Sequence, residues 1–139
     1  MSVKTAVVID DEVDLTTYLS AILEEHEFKV LVANDAQTGE KLIRESAPDL
    51  VLLDLMMPGK SGISLFTRLR RDEETRNIPL IMVTGIRDQL GIDWGEIVDR
   101  FKARKPDGFV EKPVDPERLM EVINGVLTNV PEGDEVLHG

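Results

Sequence analysis

The sequence of 139 residues contains no cysteine. Disulfide bonds, thiolate metal sites and cysteine nucleophiles are therefore excluded. The length predicts a single domain of ordinary size. Because 42% of the residues are hydrophobic, the chain can bury a core, and we do not expect disorder along most of it.

Positive charge is scarce. The chain has 16 lysine and arginine residues against 27 aspartate and glutamate residues, for a formal net charge of -11 at pH 7. Nucleic-acid-binding surfaces need clustered basic side chains to replace phosphate counterions, so DNA and RNA are not expected as partners. Most of the acidic residues serve solubility, but an acidic protein can also bind cations or basic patches on partners.

Long apolar segments are missing as well. No run approaches the ~18 apolar residues that a membrane-spanning helix needs. The N-terminal residues lead into a strand-like run without the features of a signal peptide. These observations predict no membrane association and a cytoplasmic location.

Short β-branched runs alternate along the chain with segments of helical periodicity. Five strands are predicted, at residues 5–9, 28–33, 50–53, 80–83 and 109–111, each followed by a helix. Strict alternation favours a parallel sheet with helices on both faces, and right-handed crossovers give a doubly wound α/β fold, (βα)5. Residues 1–129 are predicted to form this domain, and the acidic segment 130–139 a mobile tail.

Helix starts and inward faces can also be predicted. Asn34 or Asp35, Ser61 and Asp115 are predicted N-caps, and Pro116 follows at a first helical position. Helical periodicity places the following residues on inward faces: Leu15, Tyr18, Leu19, Ile22 and Leu23; Gly39, Leu42, Ile43 and Ala47; Gly62, Leu65, Phe66 and Leu69; Leu90, Trp94, Ile97, Val98 and Phe101; Leu119, Val122, Ile123, Val126 and Leu127.

Polar residues stand where the predicted strands end. Asp10 and Asp11 follow the first strand, Asp54 the third and Thr84 the fourth, and Lys112 follows the fifth. In a doubly wound sheet the carboxyl ends of the strands share one edge, and ligands bind there. Three carboxylates, a hydroxyl and an ammonium at that edge describe a site for a divalent cation and a phosphoryl group.

Each of these residues also has an ordinary structural explanation. Asp10 and Asp11 could cap the first helix, and Asp54 could be a turn residue. Thr84 and Lys112 could be polar residues that merely end strands. A coincidence of five such residues at four strand ends is far rarer than any one of these cases, so the joint arrangement favours a functional site.

Four short motifs occur in order at these strand ends: VIDDE at residues 8–12, DLMMPG at 54–59, TG at 84–85 and KP at 112–113. With this set, the chain resembles the receiver domains of two-component response regulators over residues 4–127. The resemblance implies a flavodoxin-like sheet with the strand order 2-1-3-4-5.

The resemblance implies that Asp54 is the phosphoacceptor, which takes a phosphoryl group from the phosphohistidine of a sensor histidine kinase or phosphotransfer protein. Asp11 and Asp54 would bind Mg²⁺ directly, together with the backbone carbonyl of Met56, and Asp10 would act through a water. Mn²⁺ could substitute for Mg²⁺.

The resemblance also implies which groups contact the phosphoryl oxygens. These are the Lys112 ammonium, the Thr84 hydroxyl and the backbone N–H groups of Leu55 and Gly85. The Lys112–Pro113 peptide bond is expected to be cis, because X-Pro bonds adopt that form at low cost. Such a protein catalyses only its own phosphorylation and dephosphorylation and is not an enzyme with a separate substrate.

A conformational switch is implied as well. Phosphorylation would draw Thr84 toward the phosphoryl group and let Phe109 turn inward, which changes the surface of the fourth predicted helix, the fifth strand and the fifth predicted helix. That surface could support a homodimer. Phe109 could instead be a plain core aromatic. The segment between Thr84 and Lys112 is longer than the family usually shows, by roughly a helical turn and a half.

Two apolar residues are expected to control water access. Met56 and Ile86 stand two positions after Asp54 and Thr84, and neither side chain can orient a water as an amide or carboxylate could. Because positioning the attacking water is most of what can speed hydrolysis, the phosphorylated form is predicted to be long-lived.

Other functions fit parts of the pattern. A haloacid-dehalogenase-type phosphatase also uses an aspartate nucleophile at a strand end, but it needs a second carboxylate where Met56 stands. A flavodoxin-like FMN carrier shares the fold, but Asp10, Asp11 and Glu12 would repel the FMN phosphate. A degenerate receiver that acts only as a protein-binding scaffold, without phosphorylation, stays open.

Overall fold

The computed structural model describes residues 3–55, 57–85 and 105–128. Within these ranges all five predicted strands are present, as β1 (Thr5–Ile9), β2 (Lys29–Ala33), β3 (Leu50–Asp54), β4 (Leu80–Gly85) and β5 (Gly108–Lys112). Four of the five predicted helices are α1 (Val13–Glu25), α2 (Ala36–Ser46), α3 (Ser61–Arg71) and α4 (Pro116–Thr128), and a 3-10 turn at Pro58–Lys60 precedes α3. The predicted helix at residues 90–101 and the predicted tail 130–139 lie outside the described residues.

The strands form one parallel sheet in the order β2-β1-β3-β4-β5. The predicted doubly wound α/β fold is therefore confirmed. One face of the sheet packs against α2 and α3, and the other packs against α1 and α4. The central β3 is buried along its whole length, which explains why its sequence LVLLD lacks polar alternation. No helix in the described ranges is long and apolar enough to cross a membrane.

Of the two alternatives Asn34 and Asp35, the N-cap of α2 is Asp35, and the predicted N-cap at Asp115 is confirmed. Each carboxylate accepts a hydrogen bond from the backbone N–H three residues later, at 2.7 and 2.9 Å. The prediction for Ser61 is wrong, because the preceding 3-10 turn runs directly into α3 and leaves Ser61 with helical φ and ψ of -67° and -25°. Its hydroxyl instead donates to the Pro58 carbonyl at 2.9 Å.

Two of the residues predicted to face the core lie at the surface. Tyr18 is 42% exposed, and its hydroxyl donates to the backbone carbonyl of Val114 at 3.0 Å. Ala47 is exposed because it ends α2 in the left-handed region, at a φ of 46°. The other inward-face predictions within the described ranges are buried or half-buried.

A buried ion pair fixes the approach to β5. The side chain of Arg70, on α3, is fully buried, and its Nη2 donates to Asp107 Oδ2 at 2.8 Å. Arg70 Nη1 donates to the carbonyls of Arg76 and Ile78, and Asp107 Oδ2 also accepts from Leu80 N. Because the buried Arg70 charge is paired and hydrogen-bonded, its burial is tolerated. The pair ties α3 to the starts of β4 and β5, two of the strands that end at the candidate site.

Candidate functional site

The parallel register brings the predicted site residues to one edge of the sheet. Asp10 follows β1 and Asp54 ends β3, and the positions directly before them are paired across the two neighbouring strands. Thr84 lies in β4, one position beyond the residue level with Asp54. Lys112 ends β5, level with Gly85. The predicted convergence of these strand ends is therefore present.

Three carboxylates cluster at this edge. Asp10, Asp11 and Asp54 each present an oxygen within 4.8 Å of those of the other two. Asp10 and Asp54 are buried, at 1% and 3% exposure, whereas Asp11 is exposed. Asp10 Oδ1 accepts a hydrogen bond from Glu12 N at 2.9 Å, which fixes its orientation. Carboxylates this close repel one another unless a cation lies among them.

Lys112 supplies a cation beside this cluster. Its Nζ lies 3.2 Å from Asp10 Oδ2, 3.5 Å from Asp54 Oδ1 and 3.3 Å from Glu12 Oε1. Among the described residues Asp10 Oδ2 accepts no hydrogen bond, so its contact with Lys112 is an ion pair only. One ammonium therefore balances several carboxylates, and the cluster keeps an excess of negative charge.

Burial and the opposite charge of the partner shift the pKa in opposite directions, both for Asp10 and for Lys112. Burial raises the pKa of the Asp10 carboxyl above its ordinary value, although the Glu12 N–H and Lys112 act against the rise. For Lys112, burial would lower the pKa, but attraction to Asp54 and Asp10 outweighs it, and the pKa is raised. Lys112 is therefore held in its charged form.

The donor set fits a hard divalent cation. Asp10 Oδ2 is buried and accepts no hydrogen bond from the part of the chain that the structure describes, and Asp11 and Asp54 add oxygens within reach of the same point. Mg²⁺ prefers oxygen ligands and keeps several bound waters. Because Asp11 is exposed, water can reach this side of the cluster. Asp10, Asp11 and Asp54 are the residues that could hold the ion. Met56, predicted as a backbone ligand and a water-access residue, lies outside the described residues.

The remaining predicted residues take different places. Thr84 is fully buried, and its hydroxyl lies 3.4 Å from the Gly85 carbonyl. Leu55 is buried directly after Asp54. Phe109 is half-buried and packs against the core on the α2 and α3 face of the sheet. The water-access residue Ile86 lies outside the described residues.

The Lys112–Pro113 peptide bond is cis, as predicted. A feature that the sequence did not indicate lies beside it, where the Tyr18 hydroxyl from α1 bonds the carbonyl of Val114. The sequence patterns also did not indicate a role for Glu12 in phosphoryl transfer, yet the structure pairs it with Lys112. Its position directly after the acidic pair was the signal that could have identified it.

Gly62 allows α3 to pack closely against the site. A Cβ atom at this position would collide with the backbone carbonyl oxygens of Asp54 and Leu55. Real Cβ atoms do not approach backbone oxygens this closely, so any side chain here must displace the chain that carries Asp54. Glycine at position 62 is therefore part of what positions the candidate phosphoacceptor.

A family profile described as "Response regulator receiver domain" matches residues 6–124. The chain belongs to this family. Receiver domains are signalling modules of two-component systems, which transmit signals by phosphorelay. The fold, the acidic cluster and the placement of Lys112 agree with this membership.

Relatives in bacteria support the same conclusion. Protein PilH of Pseudomonas aeruginosa is 38% identical over 120 residues, which cover 86% of this chain and 94% of PilH. The phosphate regulon transcriptional regulatory protein PhoB of the same organism is 34% identical over 135 residues, or 94% of this chain. The receiver chain spans only 55% of the length of PhoB.

Solved structures agree on the fold. The chemotaxis response regulator CheY4 of Vibrio cholerae superposes with a TM-score of 0.76 over 90% of this chain and 99% of its own, at 18% sequence identity. A putative response regulator from Chloroflexus aurantiacus superposes with a TM-score of 0.74 over 91% of this chain and 99% of its own, at 22% identity. At these identities, the likeness supports the receiver fold alone.

Magnesium should stabilise this receiver domain through its acidic cluster. Binding to the folded state alone adds about 2.7 kcal/mol to the free energy of unfolding at a concentration about a hundredfold above Kd. Asp11→Asn should lose most of the Mg²⁺-dependent rise in Tm, measured by thermal unfolding at constant ionic strength. Glu45→Gln, an exposed change in the last turns of α2, which runs away from the site, should keep it. Equal rises in both variants would mean that Mg²⁺ binds elsewhere.

Gly62→Ala should destabilise the domain by about 1–3 kcal/mol, the usual cost of forcing extra atoms into a packed region. Gly125→Ala is the matched control, because a Cβ built there on α4 has no atom of the described residues within 4 Å apart from its chain neighbours and the backbone of its own helix. Alanine has the higher helix propensity, so this change should stabilise by about 0.5–1 kcal/mol. Urea unfolding of the two variants measures both effects, and a neutral Gly62→Ala would contradict the close packing.

Proposed function

We propose that Asp54 accepts a phosphoryl group from the phosphohistidine of a sensor histidine kinase or a phosphotransfer protein, in a reaction that depends on Mg²⁺. The observation that carries this proposal is the position of the buried Asp54 carboxylate between two further aspartates and the Lys112 ammonium. A carboxylate that is buried among like charges but kept beside one fixed cation suits a nucleophile for a phosphoryl group.

The covalent step is a transfer between two nucleophiles. An Asp54 carboxylate oxygen attacks the phosphorus, and an O–P bond forms as the P–N bond of the phosphohistidine breaks. The imidazole leaves with the electrons of that bond. The transition state is loose, so the protein mainly positions groups and balances charge.

Each neighbour of Asp54 has a role in that balance. Lys112 Nζ lies 3.5 Å from Asp54 Oδ1. At this distance the ammonium can contact an oxygen of a phosphoryl group carried by this carboxylate. Thr84 offers its hydroxyl from β4, and the backbone N–H groups of Leu55 and Gly85 complete the contacts. Mg²⁺ bound by the aspartates would supply positive charge that offsets the phosphoryl oxygens, and Mn²⁺ could replace it.

We also propose the output. Movement of Thr84 toward the phosphoryl group lets Phe109 turn inward, and the surface around β5 and α4 then changes shape for a downstream protein or a second copy of the chain. Phe109 is half-buried on the strand next to that of Thr84, which supports this coupling. We also propose that dephosphorylation is slow, because neither the Met56 nor the Ile86 side chain can orient an attacking water.

A degenerate receiver that serves only as a binding scaffold is the second candidate. It requires no metal site, and nothing in its function would keep Asp54 and Asp10 buried against their mutual repulsion. The two candidates make opposite predictions for chemical phosphorylation, so one labelling experiment separates them.

Asp54→Asn should abolish phosphorylation. Wild type incubated with acetyl phosphate and Mg²⁺ should gain the mass of one phosphoryl group in intact-mass spectrometry, and the Asn variant should gain none. Asp49→Asn, which makes the same change at the opposite edge of the sheet, should label like wild type. Labelling of the Asp54→Asn variant at the normal level would contradict the assignment of Asp54 as phosphoacceptor. Absence of wild-type labelling would favour the degenerate receiver that acts only as a binding scaffold.

A further inference from the structure

We propose that Asn34 is a positioning residue for the magnesium ligands, because its side-chain amide holds the peptide unit that joins Asp10 to Asp11. This role rests on the proposed function, since it concerns the metal on which phosphorylation depends. Asn34 lies between β2 and α2, and Asp35 caps the helix in its place. The Asn34 amide instead reaches across to the end of the neighbouring strand.

This amide continues the pairing of β1 with β2 past the point where the strands end. The Asp10 N–H donates to the Ala33 carbonyl at 3.1 Å, one position beyond the last paired residues, Ile9 and Ala33. The chain then turns toward the cap at Asp35. From this turn, Asn34 Nδ2 donates to the Asp10 carbonyl at 2.8 Å. Both backbone polar groups of Asp10 are therefore bonded to the end of β2.

A second contact fixes the orientation of the Asn34 amide. Its Nδ2 also donates to Thr16 Oγ1 at 3.2 Å. Thr16 is 1% exposed, and its own hydroxyl donates to the Val13 carbonyl at 2.9 Å. The Thr16 oxygen can therefore only accept from Asn34, as can the Asp10 carbonyl. Because an asparagine amide has two N–H donors, its nitrogen end matches both acceptors and its oxygen end matches neither.

The bonded carbonyl belongs to the peptide unit between two of the three candidate metal ligands. A peptide unit is planar, so holding its oxygen restricts the two rotations beside it, ψ of Asp10 and φ of Asp11. The Asp10 carboxylate is also oriented by the Glu12 N–H, at 2.9 Å. Asp11 is exposed, so packing does not hold its carboxylate. The position of the Asp11 carboxylate therefore depends on this peptide unit.

A ligand that already holds its binding position loses less conformational entropy when the ion arrives. Groups that bond metal ligands directly from outside typically change metal affinity by about 10–100-fold. Asn34 acts on the backbone through one hydrogen bond, so its effect should be smaller. We expect the Kd for Mg²⁺ to rise by about two- to ten-fold without it, the equivalent of one intramolecular hydrogen bond.

The test compares the Kd for Mg²⁺ of wild type, Asn34→Ala and Asn77→Ala, measured by two-dimensional amide NMR titration. Asn77 is the matched control, because it is also an exposed asparagine outside helices and strands, but it precedes β4 at the opposite edge of the sheet. Only Asn34→Ala should bind Mg²⁺ more weakly than wild type. The amide spectrum and the Tm without Mg²⁺ confirm that each variant is folded.

The phosphorylation rate provides a second arm. With acetyl phosphate as donor, the Mg²⁺ concentration that gives the half-maximal rate should rise in Asn34→Ala by the same factor as the Kd, and excess Mg²⁺ should restore the rate. A residue that only stabilises the fold would lower the Tm without changing the Kd of the folded protein.

Three results would overturn the role of Asn34. They are an unchanged Kd in Asn34→Ala, an equal rise of the Kd in Asn77→Ala, and a loss of rate in Asn34→Ala that excess Mg²⁺ does not reverse. A different result separates this role from the proposed function. If wild type binds Mg²⁺ no more tightly than Asp11→Asn, the magnesium-dependent reaction itself is overturned, and the role of Asn34 with it.

Discussion

The contact of Lys112 with the acidic cluster is the interaction on which this site depends. Two aspartates are almost fully buried within a few ångströms of each other, and burial disfavours their charged forms. The ammonium makes this tolerable, because its Nζ contacts Asp10 and Asp54 together and is itself kept charged by them. It compensates only in part, and the remaining negative charge is what a divalent cation could balance at this cluster.

The fold brings these charged side chains together at one edge of the sheet. Asp54 and Lys112 end strands β3 and β5, and Asp10 follows β1. The register of the sheet therefore sets the distances between the backbones of these three residues. Packing then secures the ends. The glycine at position 62 lets α3 lie against the Asp54 backbone, and Tyr18 holds the loop after Lys112 from α1. The sheet and these two contacts therefore hold the backbone on both sides of the Lys112 contact with the acidic cluster.

Sequence patterns predicted the sheet because its strands are buried on both faces and read as apolar runs, with each site residue just beyond. They predicted the caps at Asp35 and Asp115 because that signal is local. Patterns were wrong at Ser61, where the preceding turn continues into the helix, and at Tyr18, where periodicity cannot show that a ring at the helix edge bonds a loop 96 residues away. The pairing of Glu12 with Lys112 also depends on tertiary distance, which one-dimensional spacing does not contain.

If Asp54, and no other carboxylate at this edge of the sheet, is the magnesium-dependent phosphoacceptor, chemical reduction of the phosphorylated protein should locate the phosphoryl group there. Sodium borohydride reduces an acyl phosphate to an alcohol, which converts a phosphorylated aspartate into homoserine. Peptide mass spectrometry of wild type treated with acetyl phosphate and then borohydride locates that change. Homoserine at position 54 alone, formed with Mg²⁺ and lost with a chelator, is the predicted result. Homoserine at Asp10 or Asp11, or a yield at position 54 that the chelator does not alter, would contradict this role of Asp54.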